Sequence, residues 1–229
     1  AVRRFLFDKD LSIPLSALHP SEIIGMPVMY PTAHRLAAHA SIQTTGNRLS
    51  LQSEKISTTA IWFGGFNPFA TYTIDLDSCK GEGEIGFEFS DQQMKNQCTI
   101  TAVFDDHIMV DARIKIVKDS ITLVEKSIAF KAGEKNSLQG KIILQMLGSG
   151  MVLYLQHNDL PKPVAQCETS EYLDLRKMDF IHSFQSRLFL TLEKGRVDIE
   201  KVDASLSSGT GLADIRAITY ENGDPLLDK

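Results

Sequence analysis

The feature that most constrains this chain is a ladder of alternating residues from Ala70 to Phe130. Tyr72, Ile74 and Leu76 fall in one phase, with Thr71, Thr73, Asp75 and Asp77 in the other. The pattern returns with Ile85, Phe87 and Phe89 against Glu84, Glu88 and Ser90. It returns again with Ile108, Val110, Ala112, Ile114 and Ile116 against Asp111, Arg113 and Lys115. Successive side chains of a strand point to opposite faces, so the ladder predicts half-buried antiparallel strands. The segments fall at 70–77, 83–90, 98–104, 107–117 and 121–130, with turns at Lys80-Gly81, Asp105-Asp106 and Lys118-Asp119. Turns roughly every ten residues point to a sandwich or barrel rather than to βαβ units.

The flanking sequence extends the same reading. Arg48 to Ser53 alternates after the turn residues Thr45-Gly46-Asn47. The apolar run Ile142 to Leu155 is broken by Gly148-Ser149-Gly150; it is too short to span a bilayer and reads as a hairpin. Pro161 and Pro163 favour a sheet edge, because proline cannot donate to a ladder. Arg187 to Leu192 and Arg196 to Leu206 are two further strands, hinged at Lys194-Gly195. Short helices are expected at Ala33 to Ala40, capped by Thr32, and within Glu171 to Phe184. Ala1 to Pro31, with Pro14, Pro20 and Pro27, reads as an extended lead-in that wraps a surface. The total of about twelve strands predicts an all-β, jelly-roll-like sandwich of two antiparallel sheets over residues 1–207.

A net charge of -5 with no lysine or arginine run gives phosphate backbones no concentrated basic face, which excludes nucleic acid as an expected partner. Cys79, Cys98 and Cys167 have no metal-ligand spacing and read as buried free thiols, with a Cys79 to Cys98 bridge as the alternative. Asp105-Asp106-His107 reads as a turn rather than a metal or catalytic triplet. Glu82, Glu84 and Glu88 read as a solvated strand face. His34 and His39, five apart, do not share a helix face as a zinc pair would. No GxSxG elbow, phosphate-binding glycine loop or HExxH occurs, so no catalytic residue is assigned.

The segment Ile61 to Phe69 holds the only tryptophan of the chain among several aromatics and glycines. Sugar rings stack on aromatic faces while amides bond their hydroxyls, which makes Trp62, Phe66 and Asn67 the candidate ligand-binding residues. The competing reading is that these aromatics fill the core.

The composition changes at Ser205 to Gly211, SLSSGTG, and the sequence then continues as LADIRAITYENGDPLLDK. Ile215, Ala217, Ile218 and Tyr220 read as a strand, Glu221 to Pro225 as a turn, and Leu226-Leu227 as the start of another strand. Residues 208–229 are thus expected to be a linker and the beginning of a second domain. A sandwich followed by this seam resembles bacterial multidomain glycoside hydrolases in which a concanavalin-like or laminin-G-like module precedes a five-bladed propeller. The resemblance implies a non-catalytic accessory or carbohydrate-binding module with an extracytoplasmic location and a C-terminal domain as partner. In such propellers an acidic residue of the first blade serves as base or nucleophile, and Asp214, Glu221 and Asp224 fall in that region. Modules of this fold often carry calcium, for which Asp75 and Asp77 share a strand face; no other cofactor is implied. Two other readings stand beside it. The sandwich could itself be a glycoside hydrolase or lyase, which requires two facing carboxylates, or one with a His or Tyr, on its concave sheet. It could also be a structural interaction domain with an exposed apolar patch.

Overall fold

The computed structural model describes residues 11–12, 34–45, 48–130, 136–158 and 160–206. The strands are β1 (Leu11–Ser12), β2 (Ser41–Thr45), β3 (Arg48–Ser53), β4 (Ser57–Gly65), β5 (Ala70–Ser90), β6 (Gln97–Asp105) and β7 (Ile108–Lys118). They continue with β8 (Ile121–Ala129), β9 (Asn136–Ser137), β10 (Gly140–Met146), β11 (Gly150–Gln156), β12 (Lys162–Glu168) and β13 (Gln185–Leu206). One helix, α1 (Met178–Ser183), precedes β13.

Two of these strands organise the rest. Where the sequence suggests turns at Lys80-Gly81 and Lys194-Gly195, β5 and β13 run on without a break, and the two pair with each other along almost their whole length. Both bend at the same level, where Gly81 lies opposite Gly195. Gly81 has φ 84, and a Cβ built there would lie 2.0 Å from the Lys194 carbonyl oxygen. Turn-forming residues have therefore produced a fold line across a continuous ladder, helped by register shifts in β13 between Leu192 and Lys194 and again on both sides of Ile199. Such bends and bulges let a strand pass from one sheet into another.

The bend closes the sandwich. The rings of Tyr72 and Phe89 are 4.8 Å apart although both belong to β5; a straight strand would separate them by on the order of 55 Å. The C-terminal half of β5 and the N-terminal half of β13 lie in a first sheet, ordered β4-β13-β5-β6-β7-β8. The other halves lie in a second sheet, ordered β12-β11-β10-β5-β13-β3-β2. All thirteen strands are hydrogen-bonded into one continuous structure because these two strands belong to both layers.

The inward phase is apolar in both layers. Tyr72, Ile74 and Leu76 face Phe87, Phe89, Ile100, Ile114 and Leu190, all essentially without solvent exposure. Phe63 and Tyr72 pack edge-on, and Tyr72 also packs on Phe87. β12 takes the edge that its prolines require, with Pro163 next to a register shift in the β11 ladder.

Several expectations change. The helix expected at Ala33 to Ala40 is absent from its described part: Arg35 forms a β-bridge with Ala60, and a turn follows at Ala38 to Ala40. Its backbone bonds to an open strand edge, where helix propensity has no bearing. The Glu171 to Phe184 region holds a helix only at Met178–Ser183. All three cysteines are free and buried. A Cys79 to Cys98 bridge does not form, because Cys79 sits at the bend with its thiol on the Asp106 carbonyl, while Cys98 lies opposite Phe89 far along the first sheet. The rest of the lead-in, Thr32, the Gly46-Asn47 turn and the 208–229 segment with Asp214, Glu221 and Asp224 lie outside the described residues.

Candidate functional site

The outward face of the first sheet is built in register. Crossing its six strands, one row contains Trp62, Arg187, Glu88, Thr99, Lys115 and Glu125. The next contains Ala60, Phe189, Gly86, Thr101, Arg113 and Ser127. Over β5 to β8 these rows form a groove of about 370 Å³, lined by Glu84, Gln97, Thr99, Thr101, Arg113, Lys115, Glu125 and Phe189 among others. Gly86 contributes no side chain, so the neighbouring Phe189 ring stands as the aromatic element of a floor otherwise made of hydroxyls, an amide and charges.

Of the groove's charged groups, Arg113 and Glu84 form an ion pair, while Lys115, Lys126 and Glu125 line it without one among the described residues. Glu84 accepts from the Thr101 hydroxyl at 2.9 Å and lies 3.8 Å from Arg113. Lys115 and Glu125 are direct cross-strand partners.

Next to the groove lies a buried charge cluster. Glu88 and Arg187 have no solvent-exposed side-chain surface and lie 3.4 Å apart. Arg187 donates to the Ser90 hydroxyl at 2.6 Å, and Arg35 reaches Glu88 from the bridged segment beside β4. Burial pulls the Arg187 pKa down, opposed by the Glu88 charge. The expected solvated acidic face is thus overturned at Glu88. Arg35, with Met94 against its guanidinium at 3.3 Å, caps this end of the sheet, and two arginines compensate the enclosed carboxylate. Bonded in this way and out of solvent, Glu88 cannot reach a ligand itself.

His34 completes the cover. Its Nδ1 accepts from the Trp62 backbone N–H at 3.2 Å, and its ring meets the Trp62 ring edge-on at 6.3 Å. Burial, with Arg187 adding to it, lowers its pKa to about 4, so the ring is neutral near neutral pH.

The sequence candidates separate. Trp62 lies on the outward face, half-buried, at the β4 end of the first row. Phe66 is turned inward at 5% exposure between Phe89 and Phe184. The Asn67 side chain accepts from the Phe69 N–H at 2.8 Å and so caps its own turn, which Tyr72 also holds through its hydroxyl. Asp106 occupies the expected turn at φ 52 and accepts from the Gly81 N–H, tying that turn to the bend. Asp75 stands in register between Lys141 and Lys201, and the Lys201 ammonium is held by Asp203 at 2.7 Å. Among the described residues no group of three or more His, Cys, Asp or Glu could hold a metal ion.

Phe189, Gln97, Thr99, Thr101 and Arg113 went unremarked as site residues. The signal for the β6 members was present in the outward phase Gln97, Thr99, Thr101, which is too uniformly polar for a plain strand back. The register that puts Phe189 and Arg113 beside them has no local signature.

No family model matches the chain, and no curated protein matches it. Among the described residues no helix is long and apolar enough to cross a membrane. Solved structures similar to it include the carbohydrate binding module CBM66 from Bacillus subtilis, at 15% identity and TM-score 0.44 over 76% of this chain and 96% of that one. An endo-beta-1,3-glucanase from Pyrococcus furiosus is similar at 10% identity and TM-score 0.48, over 73% of this chain and 78% of the glucanase. A xylan beta-1,4-xylosidase from Bacillus halodurans is similar at 13% identity and TM-score 0.44 over 72% of this chain, which spans only 34% of the xylosidase's length. All three likenesses are loose, and the sandwich is established by the pairing of the chain's own strands.

Proposed function

We propose that this sandwich is a glycan-binding accessory module and that the outward groove of the first sheet is its binding face. One observation carries the reading: a groove of about 370 Å³ that combines an aromatic ring, Phe189, with hydroxyls, an amide and charged groups on one sheet face. Sites for polyhydroxylated ligands need an apolar surface for the ring and fixed polar groups for its hydroxyls. Trp62, in the row next to that of Phe189, extends the platform toward β4.

The module would serve a larger, extracytoplasmic glycoside-hydrolase-like protein, with a propeller-type domain following the seam at 208–229. The support for this part is the resemblance carried by residues 209–227. The module's task is to hold or position polysaccharide for that domain.

Isothermal titration of the protein with linear β-1,3-glucan and β-1,4-xylan oligosaccharides tests the binding role. The expected result is saturable heat with at least one of them, lost in Phe189→Ala and weakened in Trp62→Ala. Absence of heat with every glycan would remove the binding role and leave that of a support.

A further inference from the structure

Resting on the glycan reading of the groove, we infer that buried Glu88 is a positioning residue that fixes the hydrogen-bond polarity of the groove floor and thereby selects uncharged sugars. Glu88 sits between the guanidiniums of Arg187 and Arg35, where a carboxylate accepts hydrogen bonds and donates none. The Gln97 amide beside it must therefore present its NH₂ side, and Nε2 lies 2.9 Å from Glu88 Oε2. The second N–H of the same nitrogen donates to Thr99 Oγ1 at 3.0 Å. With both donors engaged, Gln97 has only its carbonyl oxygen left for a ligand.

Thr99 is fixed in the opposite sense. Its oxygen receives the Gln97 N–H, its side chain lines the groove at 8% exposure, and no acceptor among the described residues takes its own proton. It therefore offers a donor. Two positions further along β6, about 7 Å away, the Thr101 hydroxyl donates to Glu84 Oε2 and keeps only lone pairs. Gln97 and Thr99 thus read acceptor, donor along the strand, while Thr101, at 1% exposure, holds Glu84 in place.

Sugar hydroxyls both donate and accept, so a neutral ring can answer each of these positions. A carboxylate or sulfate ester only accepts. It would leave the Gln97 oxygen unmatched, while Arg113 in the groove already has Glu84 3.8 Å away. The ligand is therefore an uncharged polysaccharide, and the register running from Arg187 through Glu88, Gln97 and Thr99 makes the choice.

The test is titration of the full chain with laminarihexaose, xylohexaose and a galacturonate hexamer, with the thermal midpoint of each variant recorded. Wild type binds a neutral hexamer and not the galacturonate. Thr99→Val weakens that binding about tenfold, the value of one lost hydrogen bond, while Thr99→Ser restores it to within about twofold. Gln97→Ala, which also takes one hydrogen bond from Glu88, weakens it about tenfold as well, and its thermal midpoint separates lost binding from a lost fold. Binding that Phe189→Ala abolishes but Thr99→Val and Gln97→Ala leave intact overturns the polarity inference and keeps the glycan reading. Galacturonate binding as tight as that of the neutral hexamers overturns it likewise. Failure of wild type to bind any of the three overturns both.

Discussion

In the half of β5 that belongs to the second sheet, Thr71, Thr73 and Asp75 point outward and remain partly exposed. In the half that belongs to the first sheet, Glu84 is mostly buried, and Glu88 and Ser90 have no exposure at all. Both halves obey the same period of two, and both have the same neighbour, β13. The difference comes from what lies on top. Asp75 stands opposite Lys141 and Lys201 on adjacent strands and stays partly exposed, whereas Glu88 is enclosed by residues from β13, the β5–β6 connection, β6 and the segment at His34 and Arg35. Alternation tells which side of a sheet a residue occupies, and the coverage of that side is a separate, long-range fact.

The comparison is broken hardest at Glu88. Removing one member of a buried ion pair leaves an uncompensated charge, so Glu88→Ala is expected to cost about 3 to 5 kcal/mol of folding stability. Asp75→Ala, the outward acid of the other half, should stay within about 1 kcal/mol. Urea denaturation of the two variants side by side measures this. Equal losses would mean that the two outward faces are equivalent.

The join between the halves gives the next effect. Gly81→Ala puts a side chain at φ 84 and 2.0 Å from the Lys194 carbonyl oxygen. The left-handed backbone alone costs about 1 to 2 kcal/mol, and the overlap forces the two long strands apart at the fold line. A total loss of about 2 to 4 kcal/mol is expected. Gly64→Ala on β4, where a Cβ would meet nothing within 4 Å, is the control and should change stability by less than about 1 kcal/mol. A tolerated Gly81→Ala would show that the bend does not depend on the glycine.

These sites also mark what the sequence could reveal. The apolar phase of the ladder is legible over most of Tyr72 to Ile116 because each strand carries its own period; it fails at the start of β7, where a register shift against β6 turns Met109 inward and leaves Val110 exposed, contrary to the expected phase of Ile108 and Val110. Gly81 and Gly195 were visible as interruptions, yet a turn and a fold line use the same residue, and only pairing across β13 distinguishes them. Trp62 stood in the sequence as either a ligand candidate or a core aromatic, and it lies half-buried on the outward face. Phe66, four residues on, faces inward because the ladder to β13 shifts register between Ser186 and Arg187, opposite the Trp62 to Gly64 stretch, and no local pattern announces that shift. The groove itself unites residues from β5, β6, β7, β8 and β13. It was illegible for the reason that a sheet face is made by register, which sequence spacing does not encode. Arg187 was the nearest thing to a warning, a lone cation ahead of Leu188, Phe189 and Leu190 that must find a buried partner if its strand is central.

The smallest effect tests the cover over the first-sheet half. His34 has a folded pKa of about 4 against an ordinary value of 6.5, because burial and the nearby Arg187 disfavour the imidazolium. Below pH 6.5 the unfolded chain takes up the proton more readily than the folded one, so the stability due to this site is complete above that pH. It declines as the pH falls toward 4. The loss is moderated by the ring's partial contact with solvent, and about 1 to 2 kcal/mol is the expected scale. Denaturant midpoints between pH 7.5 and pH 4 should fall in wild type. His34→Phe keeps an aromatic ring against Trp62 and removes the titrating group, so its curve should be flatter over the same range. Identical slopes in the two proteins would mean that protonating His34 does not disturb the cap.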